Sequence, residues 1–372
     1  MKLKGLQGVA RVIGLMLAAF LVGLLPFLIT RGFVPRKTVN VSQTMLIKGH
    51  TMGGSYSIRY QSPRNIHKTA HTVTAEEVQK AIDRELDHIS RQMSTYRPDS
   101  EVSLFNAHRS TDWFSVSMET AEVVNKAQYI SKLSQGKFDM TVLPLVRAWG
   151  FGPAQGKRQI PSEETVKNLA AHVGWELVEV QLQPPALRKK DPQVEIDLSG
   201  IAKGYACDRI SNLLSELDIR NHLVEIGGEI VTKGLSAETD FWQVGLECPI
   251  SSKESSAQSS IHHVLNLSEG GIATSGDYRN SYKNGRRRLS HTIDPRTGYP
   301  IEHNLAAVSV ISEDCATADG LATALMACGP DSGLELAEKH RLCALFVVRE
   351  QDTFRSVAST EFKQRFPEFI VP

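Results

Sequence analysis

The most evident lack in this chain is charge of one sign. Of its 372 residues, 42 are Lys or Arg and 41 are Asp or Glu, a net charge of +1. Nucleic acid or an acidic partner recognised through bulk charge is therefore not indicated, and no nucleic-acid partner is expected. Cysteine is scarce as well. The five residues Cys207, Cys248, Cys315, Cys328 and Cys343 all lie in the second half. They have neither the crowded spacing of a disulfide framework nor the spacing of a zinc site, so most read as small core residues. Internal repeats are missing, which excludes a solenoid.

Only one long apolar run breaks the pattern. Val12 to Thr30 carries no charge and has about the length of a helix that crosses a bilayer, with Lys2, Lys4 and Arg11 before it. The basic flank, residues 1–11, is expected in the cytoplasm and everything after Arg31 on the far side of the membrane. No small-x-small cleavage site follows the run cleanly and no cysteine stands there for lipidation. This favours an uncleaved single-pass anchor at 12–30 over a removed signal segment. Residues 31–43, polar and punctuated by Pro35, read as a linker to a domain over 44–372.

That domain is long enough for one large fold or two lobes. Thr44 to Tyr60 reads as a strand pair turning at Met52-Gly53-Gly54. Thr74 and Glu77 form a capping box ahead of the stripe Val78, Ile82, Leu86, Ile89 and Met93, which predicts a helix ending before Ser94. A second helix is predicted over Ser117 to Leu133, stopped by Gly136, and a short one opens at Pro161-Ser162. Pro184 to Pro192 reads as a charged turn. His222 to Lys233 reads as a hairpin broken by Gly227-Gly228, Phe241 to Leu246 as a strand, and Ser251 to Ser260 as a surface insertion. Asn284-Gly285 signals another hairpin, whose solvated tip accounts for Arg286-Arg287-Arg288. Ala307 to Ile311 and Ala344 to Val348 read as strands, with a helix over Thr317 to Met326.

The chain is organised around Val194 to Tyr205. Val194, Ile196 and Leu198 alternate at strand spacing, while Ile201, Tyr205, Ile210, Leu213 and Leu217 recur at helical spacing. Ser199 and Gly200 fall at the changeover, where unpaired N–H groups favour an anion and glycine lets a phosphate approach the backbone. Asp197 and Lys203 flank that point with opposite charges. A plain capped helix after a strand is the bland alternative. Further on, Asp319 and Thr323 are four apart on a helix, so a carboxylate and a hydroxyl share one face and suit a hard cation such as magnesium. His291 stands at a strand end beside the rigid turn Asp294-Pro295-Arg296-Thr297-Gly298, where it can serve as a general base. Alternatively its ring bonds a neighbouring backbone group, Asp294 caps the turn, and Asp319 favours its helix N-terminus.

Taken in chain order, these segments resemble the ApbE family from about Met52 to Val348. The most specific are Asp197-Leu198-Ser199-Gly200-Ile201-Ala202-Lys203-Gly204 and His291-Thr292-Ile293-Asp294-Pro295-Arg296-Thr297-Gly298. The resemblance implies an α+β, two-lobed fold related to the T-fold with FAD in the cleft. It also implies an Mg2+-dependent FAD:protein FMN transferase that joins FMN through a phosphoester to a threonine or serine of envelope flavoproteins, such as membrane redox-complex subunits, and releases AMP. By the same resemblance Met52, Tyr96, Lys137, Phe138, Asp139, Asp197, Lys203 and Ile293 contact FAD. Gly200 and Ala322 give carbonyl oxygens to magnesium, Asp319 and Thr323 give side-chain oxygens, and His291 activates the acceptor. An FAD pyrophosphatase using water at the same site, and a non-catalytic FAD carrier, are the alternatives. The implied location is the bacterial inner membrane, with the catalytic domain periplasmic. The departures from the family pattern are the missing lipid-anchoring cysteine, Gly54 where threonine is common, and Gly200 where a slightly larger small residue is frequent.

Overall fold

A computed structural model describes residues 44–62, 73–152, 160–248, 260–277, 281–284, 287–351 and 353–369. The predicted membrane segment, its basic flank, the linker and most of the serine-rich insertion lie outside these residues. Among the described residues, no helix is long and apolar enough to cross a membrane.

The chain enters through a hairpin that its own turn chemistry dictates. β1 (Thr44–Thr51) and β2 (Gly54–Gln61) pair antiparallel, and the two residues between them, Met52 and Gly53, have φ of 49° and 76°. Positive φ at both central positions is the geometry that matches the twist of the flanking strands. The next element, α1 (Ala75–Met93), begins at the predicted capping box: Thr74 Oγ1 accepts from the Glu77 N–H, and the Glu77 carboxylate accepts from the Thr74 N–H. Its apolar stripe is buried along its whole length.

α2 (Glu101–Ala107), β3 (Phe114–Ser115) and α3 (Met118–Leu133) come next. Ser117 caps α3, and after the helix Gly136 takes φ of 79° and donates its N–H to the Ser131 carbonyl at 2.8 Å, closing the C-terminus. α4 (Leu143–Ala148) and α5 (Glu163–Ala170) are short, and α5 is capped by Ser162 as predicted. Pro185 to Lys189 corrects the sequence reading: it is β5, not a charged turn. It pairs with β3 on one side and with β4 (Val178–Leu182) on the other. Its charged residues are accommodated because Arg188 pairs with Glu179, and because the Lys189 stem is buried with its Nζ donating to the Asn106 carbonyl.

The second correction concerns Val194 to Leu198. The alternation is real, since Val194, Ile196 and Leu198 are fully buried, yet the segment joins no sheet. Its backbone groups are met by a side chain instead. Asn106 Nδ2 donates to the Ile196 carbonyl at 2.8 Å, and Asn106 Oδ1 accepts from the Ile196 N–H at 2.7 Å. The Asp197 N–H goes to the Met140 carbonyl at 2.7 Å. Burial without a strand partner demands such substitutes.

α6 (Ala202–Glu216) then leads to β6 (His222–Ile226) and β7 (Glu229–Lys233), the hairpin expected at Gly227-Gly228. β8 (Trp242–Cys248) pairs with β9 (Ser260–Leu267). β10 (Gly270–Gly276) is followed by the hairpins of β11 (Ser281–Asn284) with β12 (Arg287–Ser290) and of β13 (Ile293–Asp294) with β14 (Tyr299–Pro300). β15 (Leu305–Ser312), α7 (Cys315–Cys328), α8 (Pro330–Lys339), β16 (Cys343–Glu350), β17 (Thr353–Ala358) and α9 (Thr360–Arg365) complete the described chain. Eight strands form one sheet in the order β1-β2-β6-β7-β10-β15-β16-β17, with every pairing antiparallel.

Helices α6 and α7 lie together against the middle of that sheet. Their contact is set by Gly204, where an added Cβ would sit 2.2 Å from the Cys315 carbonyl oxygen. Cys207 and Cys315 are buried within the same core, and burial pushes both thiols up. Of the other cysteines with described side chains, Cys343 is buried and Cys328 partly so, and none of the four forms a disulfide.

Candidate active site

A cavity of about 390 Å³ opens where the β1–β2 turn, the β6–β7 turn, the first turn of α6, one face of α7 and the β12–β13 junction converge. The two turns lie side by side: the Gly227 N–H donates to the Ser55 carbonyl at 2.9 Å, and a Cβ on Gly54 would lie 3.7 Å from Gly227 Cα. Met52 is thereby fixed over the cavity in a left-handed conformation that few side chains adopt, as is common at binding sites.

Of the residues named from the sequence, Met52, Tyr96, Lys137, Phe138, Asp139, Asp197, Gly200, Lys203, His291, Ile293, Asp319 and Thr323 all line this one cavity. Ala322 is the exception. It precedes Thr323 on α7 and its side chain is fully buried. Tyr96 is 68% exposed, an aromatic ring left as an open platform at the rim, whereas Phe138 is buried at the wall.

The oxygen-rich corner is built by the close approach of α6 and α7. Thr323 Oγ1 lies 3.4 Å from the Gly200 carbonyl oxygen, and Ser275 Oγ on β10 lies 3.4 Å from Thr323 Oγ1. Asp319 is only 3% exposed, and its Oδ2 accepts from the Gly204 N–H at 3.0 Å. Burial raises the Asp319 carboxyl, against the opposing pull of the Lys203 ammonium and the Gly204 N–H. A buried carboxylate, a hydroxyl and a carbonyl are all hard oxygen donors. They fit a cation that takes only a few protein ligands and fills the rest of its shell from phosphate and water. Gly200 is tight here: a Cβ would meet Phe138 Cε2 and Thr323 Oγ1, each at 3.2 Å.

Other cavity residues are engaged with protein partners. Lys203 Nζ pairs with Glu229 Oε1 at 2.5 Å. Lys137 Nζ pairs with Asp294 Oδ2 at 2.7 Å and donates to the Ala327 carbonyl at 3.3 Å. Burial would raise Asp294, but Lys137 and the Arg296 N–H outweigh it and hold the carboxyl below the usual range. Asp139 is an anchor: Oδ1 accepts from the Thr141 N–H and hydroxyl, Oδ2 from the Trp175 N–H, and burial still pushes it up to about 6. Asp197 Oδ1 accepts from the Ser199 N–H at 2.9 Å, with burial raising the carboxyl.

His291 is positioned by the rigid turn on its C-terminal side. Asp294 Oδ1 accepts from the Arg296 N–H, and the Asp294 carbonyl from the Gly298 N–H at 2.9 Å, so Asp294 does cap the turn. The Gly298 carbonyl in turn accepts from Trp149 Nε1 at 2.8 Å. The His291 ring sits edge-on to Phe151, with centroids 6.4 Å apart.

Three participants were not assigned from the sequence. Glu229 fixes Lys203, Ser275 touches Thr323, and Asn106 holds the backbone beside Asp197. Glu229 stands next to the Gly227-Gly228 pair that marked a hairpin, but nothing local marked Ser275 as a neighbour of Thr323 or Asn106 as a backbone clamp. Asn106→Ala leaves the buried N–H and C=O of Ile196 unpaired. We expect a loss of about 2–4 kcal/mol in urea unfolding. Unchanged stability would show that the clamp is dispensable.

Residues 52–346 match the ApbE family. The FAD:protein FMN transferase of Vibrio cholerae is 39% identical over 317 residues, covering 85% of this chain and 91% of its own, and that of Haemophilus influenzae is 36% identical over 326 residues, covering 87% and 92%. Among solved structures, the flavin transferase ApbE from Vibrio cholerae superposes with a TM-score of 0.78 at 38% identity, covering 87% of this chain and 99% of that one. The apo form of the Pseudomonas stutzeri flavinyl transferase ApbE gives 0.78 at 34%, covering 88% and 98%. With both signature segments on one cavity and the match running through nearly the whole described chain, this protein belongs to the ApbE family.

Proposed function

We propose that the protein is an FAD:protein FMN transferase. The observation that carries this reading is the placement of Gly200, Asp319 and Thr323 in the wall of the same cavity as His291, with an exposed tyrosine at its rim. Family membership and the names of the relatives support it. The fold is read as the family's two-lobed arrangement related to the T-fold.

FAD is taken as the substrate, its ring system over Tyr96 and Met52 and its pyrophosphate towards Ser199, Gly200 and Lys203. The Gly200 carbonyl, Asp319 and Thr323 side chains would hold Mg2+, with the Ala322 carbonyl as the fourth donor that the resemblance implies. When bound, the ion supplies charge neutralisation at the pyrophosphate. The chain's own residues do the rest. Lys203, steadied by Glu229, offers a positive charge to phosphate. His291 takes the proton of an acceptor threonine or serine hydroxyl as its oxygen bonds to the riboflavin-side phosphorus. The bond from that phosphorus to the bridging oxygen breaks, and AMP departs. Phe138 and Ile293 keep the walls apolar and limit water.

The acceptors are read as envelope flavoproteins such as membrane redox-complex subunits. The enzyme is read as held at the inner membrane by residues 12–30, with residues 44–372 in the periplasm. The test gives the soluble part FAD, magnesium and candidate acceptors, then reads in-gel flavin fluorescence and intact mass. A mass gain of one FMN that a chelator abolishes is expected. Free FMN and AMP with no labelled protein would mean a pyrophosphatase, and FAD binding without turnover a carrier.

A further inference from the structure

His291 and the side chains of the oxygen-rich corner are carried by different apolar clusters. On either side of His291, Leu289 and Ile293 are buried in a small cluster with Leu145, Trp149, Phe151 and Val166. Asp319 and Thr323 stand on α7, whose Leu321, Ala322 and Leu325 belong to the main core. Apolar burial is non-directional, so it sets the spacing between two clusters only loosely. A base and a cation that act on one reacting centre need that spacing held, because a misplacement of about 1 Å can cost a hundredfold in rate.

Lys137 joins the two parts directly. Its Nζ donates to Asp294 Oδ2 at 2.7 Å, three residues after His291, and to the Ala327 carbonyl at 3.3 Å. Ala327 follows Asp319 and Thr323 at steps of four residues, so the three share one face of α7, and all of them line the cavity. It lies in the last turn of that helix, where carbonyls lack intrahelical partners and a positive charge is favoured. The backbone around Lys137 is firmly held. The Gly136 N–H donates to the Ser131 carbonyl at 2.8 Å, and the Phe138 N–H to Ser134 Oγ at 3.0 Å. The side chains of Lys137 and Asp294 are 13% and 15% exposed, so salt screens the pair little. A longer route also connects the His291 segment to α7: the Thr292 carbonyl accepts from the Ile301 N–H at 3.1 Å, and His303 Nε2 donates to the Met326 carbonyl at 2.9 Å. That route should keep the fold intact when Lys137 is changed.

We propose that Lys137 is a positioning residue, whose ammonium fixes the His291 turn against α7 and so sets the distance from the base to the cation corner. The ammonium is committed to Asp294 and Ala327 and not to FAD, which departs from the role that the family resemblance implies. This rests on the transferase reading.

The experiment uses a purified flavoprotein that the wild-type protein labels, and compares Lys137→Met, Asp294→Asn and the double variant. Methionine keeps an unbranched stem and removes the charge. Each single variant is expected to lower kcat for labelling about ten- to a hundredfold, with the Kd for FAD, read by flavin quenching, and the half-saturating magnesium concentration within twofold of wild type. The double variant should be no slower than the slower single one, as for two residues that act as a unit. Asp294→Asn keeps Oδ1 for the Arg296 N–H, so it carries the test should Lys137→Met melt early. A wild-type kcat in either folded variant, losses that multiply in the double variant, or a tenfold rise in the FAD Kd of Lys137→Met overturns the inference while leaving the transferase intact. A wild-type protein that releases FMN and AMP but labels nothing overturns the transferase reading itself, and the inference with it.

Discussion

Asp319→Asn should reduce FMN transfer by about a thousandfold or more while the protein stays folded. The replacement is isosteric, and its side-chain oxygen can still accept the Gly204 N–H that Asp319 Oδ2 accepts at 3.0 Å. What it removes is the negative charge. Asp319 is 3% exposed and faces the Gly200 carbonyl and Thr323 hydroxyl across the same corner. Under the proposed function that charge holds the cation whose neutralising effect is worth several kcal/mol, and each 1.4 kcal/mol is about tenfold in rate. The half-saturating magnesium concentration should rise as well. The check is a labelling time course at several magnesium concentrations alongside a thermal melt. If the variant melted like wild type and also labelled at the wild-type rate, the cation site would lie elsewhere.

His291→Ala should cost about 10²- to 10⁴-fold in labelling, the usual size of a general-base contribution, with FAD still bound. The turn after His291 has supports of its own. Asp294 caps that turn, Lys137 pairs with Asp294, and Trp149 holds the Gly298 carbonyl, so the backbone should survive the change. Labelling and FAD cleavage by water should fall together, because both need a proton taken from the attacking oxygen. Loss of FAD binding in this variant, measured by flavin quenching, would recast His291 as a substrate contact. Labelling at full rate would remove it from the mechanism.

Much of this was legible from neighbours in sequence. The Met52-Gly53 turn, the Thr74–Glu77 box, the Ser117 cap, the Gly136 stop and the Gly227-Gly228 hairpin depend on bonds between residues a few positions apart, which composition and spacing reveal. The cavity residues were legible because two short motifs and one helix face carry most of them. The four-residue spacing of Asp319 and Thr323 puts both on one side of α7, whatever the rest of the chain does.

Tertiary structure decided the remainder, most of it where a group's partner lies far along the chain. Val194 to Leu198 has the alternation of a strand but meets Asn106, 90 residues away, in place of a neighbouring strand. Pro185 to Lys189 has the charges of a turn, but the fold supplies β3 and β4 as partners. Lys137 finds Asp294 at a separation of 157 residues, and Ala322 turns inward while the next residue faces the cavity. The sequence by itself determined the turns, the caps and the chemical types at the site. Only the packing of α6 on α7, at a glycine with no room for a Cβ, determined that a carbonyl, a hydroxyl and a carboxylate would share one corner, because backbone groups and charges take whichever partner the whole fold brings within reach.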